Sequence, residues 1–203
     1  MFFTRREGDQ QREALYALPL PTHEASAPQT AHEKLGAPLV DPATYGERAS
    51  LDFMVPSPDG RYVAFGISDN GDERSTLRIH DVNTGKLLPE AITHAKWSSL
   101  EWTHGGDDQD SAPGFYYTRY PREGEADYDP ANEDTYYSRV FFHRLGTDPK
   151  SDPLVFAGSS RTDFPSVSLD PSDRYLVVNN FRSWTASDVW LWDRGEDRKS
   201  RAV

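Results

Sequence analysis

"VPSPDGRYVAFGIS" runs from Val55 to Ser68, and "SLDPSDRYLVV" runs from Ser168 to Val178. Each sets a tight Pro/Asp turn ahead of a run of alternating large residues. In the first copy Tyr62, Ala64 and Gly66 point to one side of a strand, and Val63, Phe65 and Ile67 point to the other. Both sides carry apolar residues, so the strand is expected to sit in a sheet covered on both faces. The residues of the turn reverse the chain and carry no catalytic duty of their own.

Working outward, the same unit recurs. "LDFMV", "RYVAFGIS", "STLRIHDV" and "KLLPEAI" read as four successive strands joined by turns, with Asn83-Thr84-Gly85 supplying the positive-φ glycine of one turn. "AKWSSLEW", "FYYTRY", "TYYSRVFFHRL" and "DPLVFAG" read as a second set, with polar insertions at "THGGDDQDSAPG" and "PREGEADYDPANED". "FPSVSL", "RYLVVNNF" and "SDVWLWD" open a third. Tyr62, Phe115 and Tyr175 are equivalent, at spacings of 53 and 60 residues. Without the insertions these approach the repeat of a four-stranded propeller blade. At the start, "FFT" and "ALYAL" flank a turn and read as a hairpin.

The expected fold is therefore all-β, a partial β-propeller of three to four four-stranded antiparallel blades. Residues 1–50 form a blade remnant, 51–93 one blade, 94–158 the next, and 159–203 an incomplete one. The tail "RGEDRKSRAV" offers no readable strand. Propellers close with about four to eight blades, so the chain reads as part of a larger ring.

Composition narrows the function. Net charge is −11 over 203 residues and the pI is about 4.9, which opposes binding to nucleic acid or anionic lipid. No apolar run is long enough to span a membrane. The absence of cysteine excludes disulfides, thiolate metal sites and a Cys nucleophile, and suits a reducing compartment. The N-terminal stretch lacks the continuous apolar run of a signal peptide.

Several segments together resemble the N-terminal region of the prolyl oligopeptidase family of serine peptidases. They are "FFTRREGDQQREALY", "PLVDPATY", "SPDGRYVAFGISDNGDERSTLRIHDVNTGKLLP", "AKWSSLEWTH", "GFYYTRYP", "VFFHRLGTDPKSDPLVF" and "LDPSDRYLVVNN". The combination of "GFYYTRYP" with "HRLGT" is the specific part. The resemblance implies a seven-bladed propeller that gates access of short peptides to a Ser-Asp-His triad cleaving after proline, in the cytoplasm. That triad belongs to an α/β-hydrolase domain, the implied partner, and its G-x-S-x-G elbow is not in this sequence. The chain alone is expected to be inactive, with no catalytic residue, cofactor or metal of its own. The other reading is a free-standing propeller that binds a protein or peptide without an enzymatic role.

Two residues are candidates for substrate binding. Trp97 matches a family position whose aromatic ring reaches toward bound peptide; against this, Trp102 five residues on suggests a blade-core aromatic. Glu73 sits at or beside a family acidic position on a loop facing the catalytic domain, with Asp72 as the alternative alignment, and a solvated turn acid as the plain alternative. The histidines (23, 32, 80, 94, 104 and 143) are scattered and lack zinc-site spacing. Nine carboxylates lie between Asp107 and Asp134, without the order of a calcium loop; they read as solvated insertions. Trp190 and Trp192 share a strand face and read as core.

Overall fold

The structure is a computed structural model that describes residues 1–6, 8, 10–18, 36–104, 113–195 and 201–202. Strands β1 (Phe2–Arg5) and β2 (Ala14–Ala17) pair as an antiparallel hairpin. Three four-stranded antiparallel sheets follow, each a simple meander. Blade A comprises β3 (Ala49–Pro56), β4 (Tyr62–Asp69), β5 (Thr76–Asp81) and β6 (Lys86–Ile92). Blade B comprises β7 (Leu100–Trp102), β8 (Gly114–Arg119), β9 (Arg139–Arg144) and β10 (Leu154–Ala157). Blade C comprises β11 (Phe164–Leu169), β12 (Tyr175–Ser183), β13 (Ala186–Asp193) and β14 (Arg201–Ala202).

The alternation in "RYVAFGIS" divides two cores. Tyr62 and Ala64 pack with Leu77, Ile79, Trp102, Phe115 and Tyr117 between blades A and B. Val63, Phe65 and Ile67 pack with Leu15 of the hairpin and with Val40. Every residue from Tyr62 to Ser68 is buried for that reason. Blade B repeats the device. Phe115 and Tyr117 face blade A, whereas Tyr116 joins Val140, Phe156, Val167, Leu176 and Val178 between blades B and C. Trp190 and Trp192 lie against this second seam, as their shared strand face implies.

The repeated turn is built by side chains. In blade A, Ser57 Oγ accepts the Tyr62 amide at 2.9 Å and donates to Asp59 at 2.6 Å, while Gly60 takes φ 70°. In blade C, Asp170 accepts the Tyr175 amide and Asp173 adopts φ 59° where blade A has its glycine. Gly66 is required for a different reason: a Cβ there would lie 2.3 Å from the Phe53 ring.

Three strand expectations are corrected. The tail does supply a strand, because Arg201 and Ala202 pair with Leu191 and Trp190 and complete blade C; two residues are too few to show a period. In "AKWSSLEW" only Leu100–Trp102 are strand, and Ala95–Ser99 form the passage between blades. In "TYYSRVFFHRL" only Arg139–Arg144 are strand.

A meander sends its turns alternately to two ends. The β3–β4 and β5–β6 turns, and their equivalents, lie at one end. The β4–β5, β8–β9 and β12–β13 turns lie at the other, together with both blade-to-blade passages. That second end, the connector rim, carries Trp97 and Glu73.

Candidate functional site: the connector rim

Among the described residues eight non-glycine positions have positive φ, and seven of them belong to the connector rim: Asn70, Glu73, His94, Trp97, Asp127, Asp134 and Tyr137. Asn and Asp enter this region readily, whereas Glu73, His94, Trp97 and Tyr137 do so only when their surroundings hold them there. Such imposed backbone clusters where geometry serves a site.

Trp97 and Glu73 meet there. The indole Nε1 of Trp97 donates to Glu73 Oε2 at 3.1 Å, across 24 residues of sequence. Lys96 completes the group, its ammonium 4.5 Å from the centre of the Trp97 ring and 3.9 Å from Glu73 Oε2. Trp97 is nevertheless 57% exposed, whereas Trp102 is 2% exposed within the A–B core. The core reading of Trp97 is thereby replaced. The alternative acid, Asp72, is spent on its own turn, accepting the Arg74 amide at 2.9 Å. Asp52 holds the same turn from below: its carboxylate accepts from Ser68 at 2.9 Å and from Ser75 at 2.5 Å.

Sequence reasoning missed three further aromatics on this rim. Phe164 meets Trp97 edge-on with ring centres 6.3 Å apart. Phe181 lies directly opposite Phe164 in the β11–β12 register. Trp184 meets Phe181 edge-on at 6.1 Å and is 97% exposed. Trp97, Phe164, Phe181 and Trp184 therefore trace an aromatic line from blade B to blade C. The readable signal was a Trp flanked by Ser and Thr in "FRSWTAS", a large ring placed where a turn belongs.

The family model for the prolyl oligopeptidase N-terminal beta-propeller domain matches residues 1–203. The chain belongs to the prolyl oligopeptidase family. It is 29% identical over 163 residues to a prolyl endopeptidase of Elizabethkingia meningoseptica, covering 76% of this chain and 21% of that protein. It is 30% identical over 159 residues to prolyl oligopeptidase A of Galerina marginata, covering 71% and 21%. A solved prolyl endopeptidase structure, analysed for inter-domain dynamics in catalysis and specificity, superposes with a TM-score of 0.75 at 25% identity, over 99% of this chain and 27% of that one. Prolyl oligopeptidase B of Galerina marginata, bound to a 35mer hydrolysis and macrocyclization substrate, superposes with a TM-score of 0.75 at 20% identity, over 100% and 29%. The chain thus spans about a fifth of these curated relatives and is the N-terminal propeller domain of a prolyl oligopeptidase-like protein; the catalytic domain lies outside it.

In this prolyl oligopeptidase propeller the described histidines with side-chain partners bind carboxylates. His94 pairs with Asp134 at 2.7 Å, His104 with Asp173 at 2.6 Å, and His143 with Asp152 at 2.9 Å. The last pair is interior. Asp152 also accepts the Tyr117 hydroxyl at 2.8 Å, and burial, reinforced by Asp152, pushes that phenol well above its ordinary range. Among the described residues no group of three or more His, Cys, Asp or Glu is placed to hold a metal ion. His23 and His32 fall outside the described residues, as do Asp107, Asp108 and Asp110. Nor is any helix among the described residues long and apolar enough to cross a membrane.

In the acidic insertion between β8 and β9, Glu123, Asp127 and Asp129 are exposed, as a solvated loop implies, whereas Glu125 and Glu133 are half-buried and Asp134 is buried. Glu125 clasps Arg119 through both oxygens, at 2.7 and 2.8 Å. Burial favours its protonated form, but the Arg119 fork and the Arg122 amide outweigh burial and hold the carboxyl below its ordinary range. Asp127 pairs with Arg139, Glu133 with Arg74, and Asp134 is buried against His94. Arg119, Arg122 and Arg139 near the segment, together with Arg74 and His94 from other turns, give the segment its shape.

Proposed function

We propose that this chain is the substrate-gating propeller portion of a proline-specific serine endopeptidase acting on short peptides. Its connector rim would face an α/β-hydrolase domain that carries the triad, and three blades plus the hairpin would contribute to a seven-bladed ring. Trp97 would stack on a proline or other apolar side chain of the bound peptide, and Glu73 would hold the ring and set the local field. One observation carries this reading: Trp97 is exposed, yet its backbone is left-handed and its indole is tethered by a hydrogen bond. A ring held rigid in water is a surface prepared for contact, because its ordering cost is met before the ligand arrives. Cytoplasmic residence is part of the proposal, supported by the lack of cysteine.

The test is titration of the purified chain with a short proline-containing peptide, read by tryptophan fluorescence. Binding is expected, with Trp97→Ala weakening it by about two- to tenfold, the size of one aromatic contact. A chromogenic proline substrate should remain uncleaved. Equal affinity of Trp97→Ala and wild type, or turnover by the chain alone, would overturn the assignment.

A further inference from the structure

The insertion between β8 and β9 is anchored to three separate turns of the connector rim. Glu133 Oε2 binds Arg74 at 3.1 Å, on the β4–β5 turn and next to Glu73. Asp134 Oδ1 binds His94 Nδ1 at 2.7 Å and the Tyr120 amide donates to the His94 carbonyl at 2.9 Å, three residues before Trp97. Tyr137 donates its amide to Arg161 O at 2.8 Å, and the Arg161 guanidinium lies 4.5 Å from the centre of the Tyr136 ring, on the passage from blade B to blade C. Tyr128 closes the group, with its hydroxyl on Glu133 and its ring edge-on to His94 at 6.4 Å.

We propose that Glu133 and Asp134 are positioning residues for Trp97. They grip, by separate contacts, the two segments that carry the partners of the Trp97–Glu73 hydrogen bond. Those segments need a grip: Glu73, His94 and Trp97 hold left-handed backbone at φ 60°, 61° and 51°, which a free turn would relax. The Arg74–Glu133 pair is partly exposed, at 50% and 30%, so its Coulomb energy is small and its role is geometric. The consequence is that the blade B insertion sets the orientation of the rim's aromatic ring, and through it which peptides the rim accepts. The last step rests on the function proposed above.

The experiment is fluorine NMR of the full chain labelled with 5-fluorotryptophan. Its five tryptophans give separate lines, and Trp97→Phe identifies the one that matters. Glu133→Gln and Asp134→Asn should shift and broaden the Trp97 line while leaving the Trp102 line in place. The charge exchange Arg74→Glu with Glu133→Arg should restore it. Should Asp134→Asn not fold, Glu133→Gln, with its part-exposed carboxylate, decides alone. A Trp97 line unmoved by Glu133→Gln overturns the proposal. A proline-containing peptide is then added. Glu133→Gln should weaken its effect on the Trp97 line by about threefold, the scale of an exposed pair. A peptide without effect on the wild-type line overturns the peptide reading and leaves the positioning role standing; an equal effect on both proteins overturns the positioning role in selection.

Discussion

Trp102 donates its indole N–H to the carbonyl oxygen of Val55, 2.9 Å away, tying β7, the first strand of blade B, to β3, the first strand of blade A. Five residues earlier in the chain, Trp97 faces solvent. The two tryptophans should therefore contribute very differently to stability. Trp102→Phe, which removes this hydrogen bond but leaves Val55 in its pairing with Ala64, should cost about 0.5–1.5 kcal/mol; Trp102→Ala should cost about 3–5 kcal/mol. Trp97→Ala should stay below about 1 kcal/mol. Urea midpoints of the three variants check this ordering.

Gly114 opens β8 where no side chain fits. A Cβ there would lie 2.6 Å from the His143 carbonyl oxygen, which is backbone and cannot step aside. Gly114→Ala is expected to destabilise by about 1–3 kcal/mol through overpacking. Gly85→Ala, with nothing within 4 Å of its Cβ but with φ 67°, should cost only the backbone strain, about 1 kcal/mol. Thermal midpoints distinguish the two mechanisms.

His80 gives the fold an acid-sensitive element. Burial holds its imidazole below the ordinary 6.5, against the opposing pull of Asp81. The unfolded chain thus takes the proton first as pH falls. Stability from this residue is complete above about pH 6.5 and declines as the pH drops toward the folded-state value. The midpoint measured from about pH 8 to about pH 5 should fall more for wild type than for His80→Gln. Parallel curves for the two proteins would contradict this.

Glu73 occupies a conformation that glycine adopts freely, with φ 60°. Glu73→Gly should leave the chain as stable or up to about 1 kcal/mol more so, while releasing the Trp97 indole. A melting curve paired with red-edge emission of Trp97, in a background lacking other exposed tryptophans, reads both effects. Loss of stability would show that the hydrogen bond outweighs the backbone strain.

The blades were legible because a period of two is a local property. Val63, Phe65 and Ile67 alternate with Tyr62 and Ala64, and each set meets its own core. The turn residues were legible for the same reason. The rim was not. Trp97 and Trp102 look alike in "AKWSSLEW", and only the short extent of β7 puts one inside and one outside. Glu73 was visible as an acid in a turn, but its partner lies on another element. The insertion's carboxylates find Arg74 and His94 at sequence distances of 59 and 40, beyond the reach of composition or spacing. Phe164 and Phe181 read as ordinary strand residues until their register sets them opposite one another.

Blade C turns Phe181, Val189 and Leu191 outward, each more than a third exposed. A sheet that is apolar on both sides behaves as a tile in a one-dimensional stack, where every addition covers one sticky surface and offers another. Shortening the array tile by tile should therefore subtract stability in increments, one neighbour contact at a time, rather than abolish it at a single length.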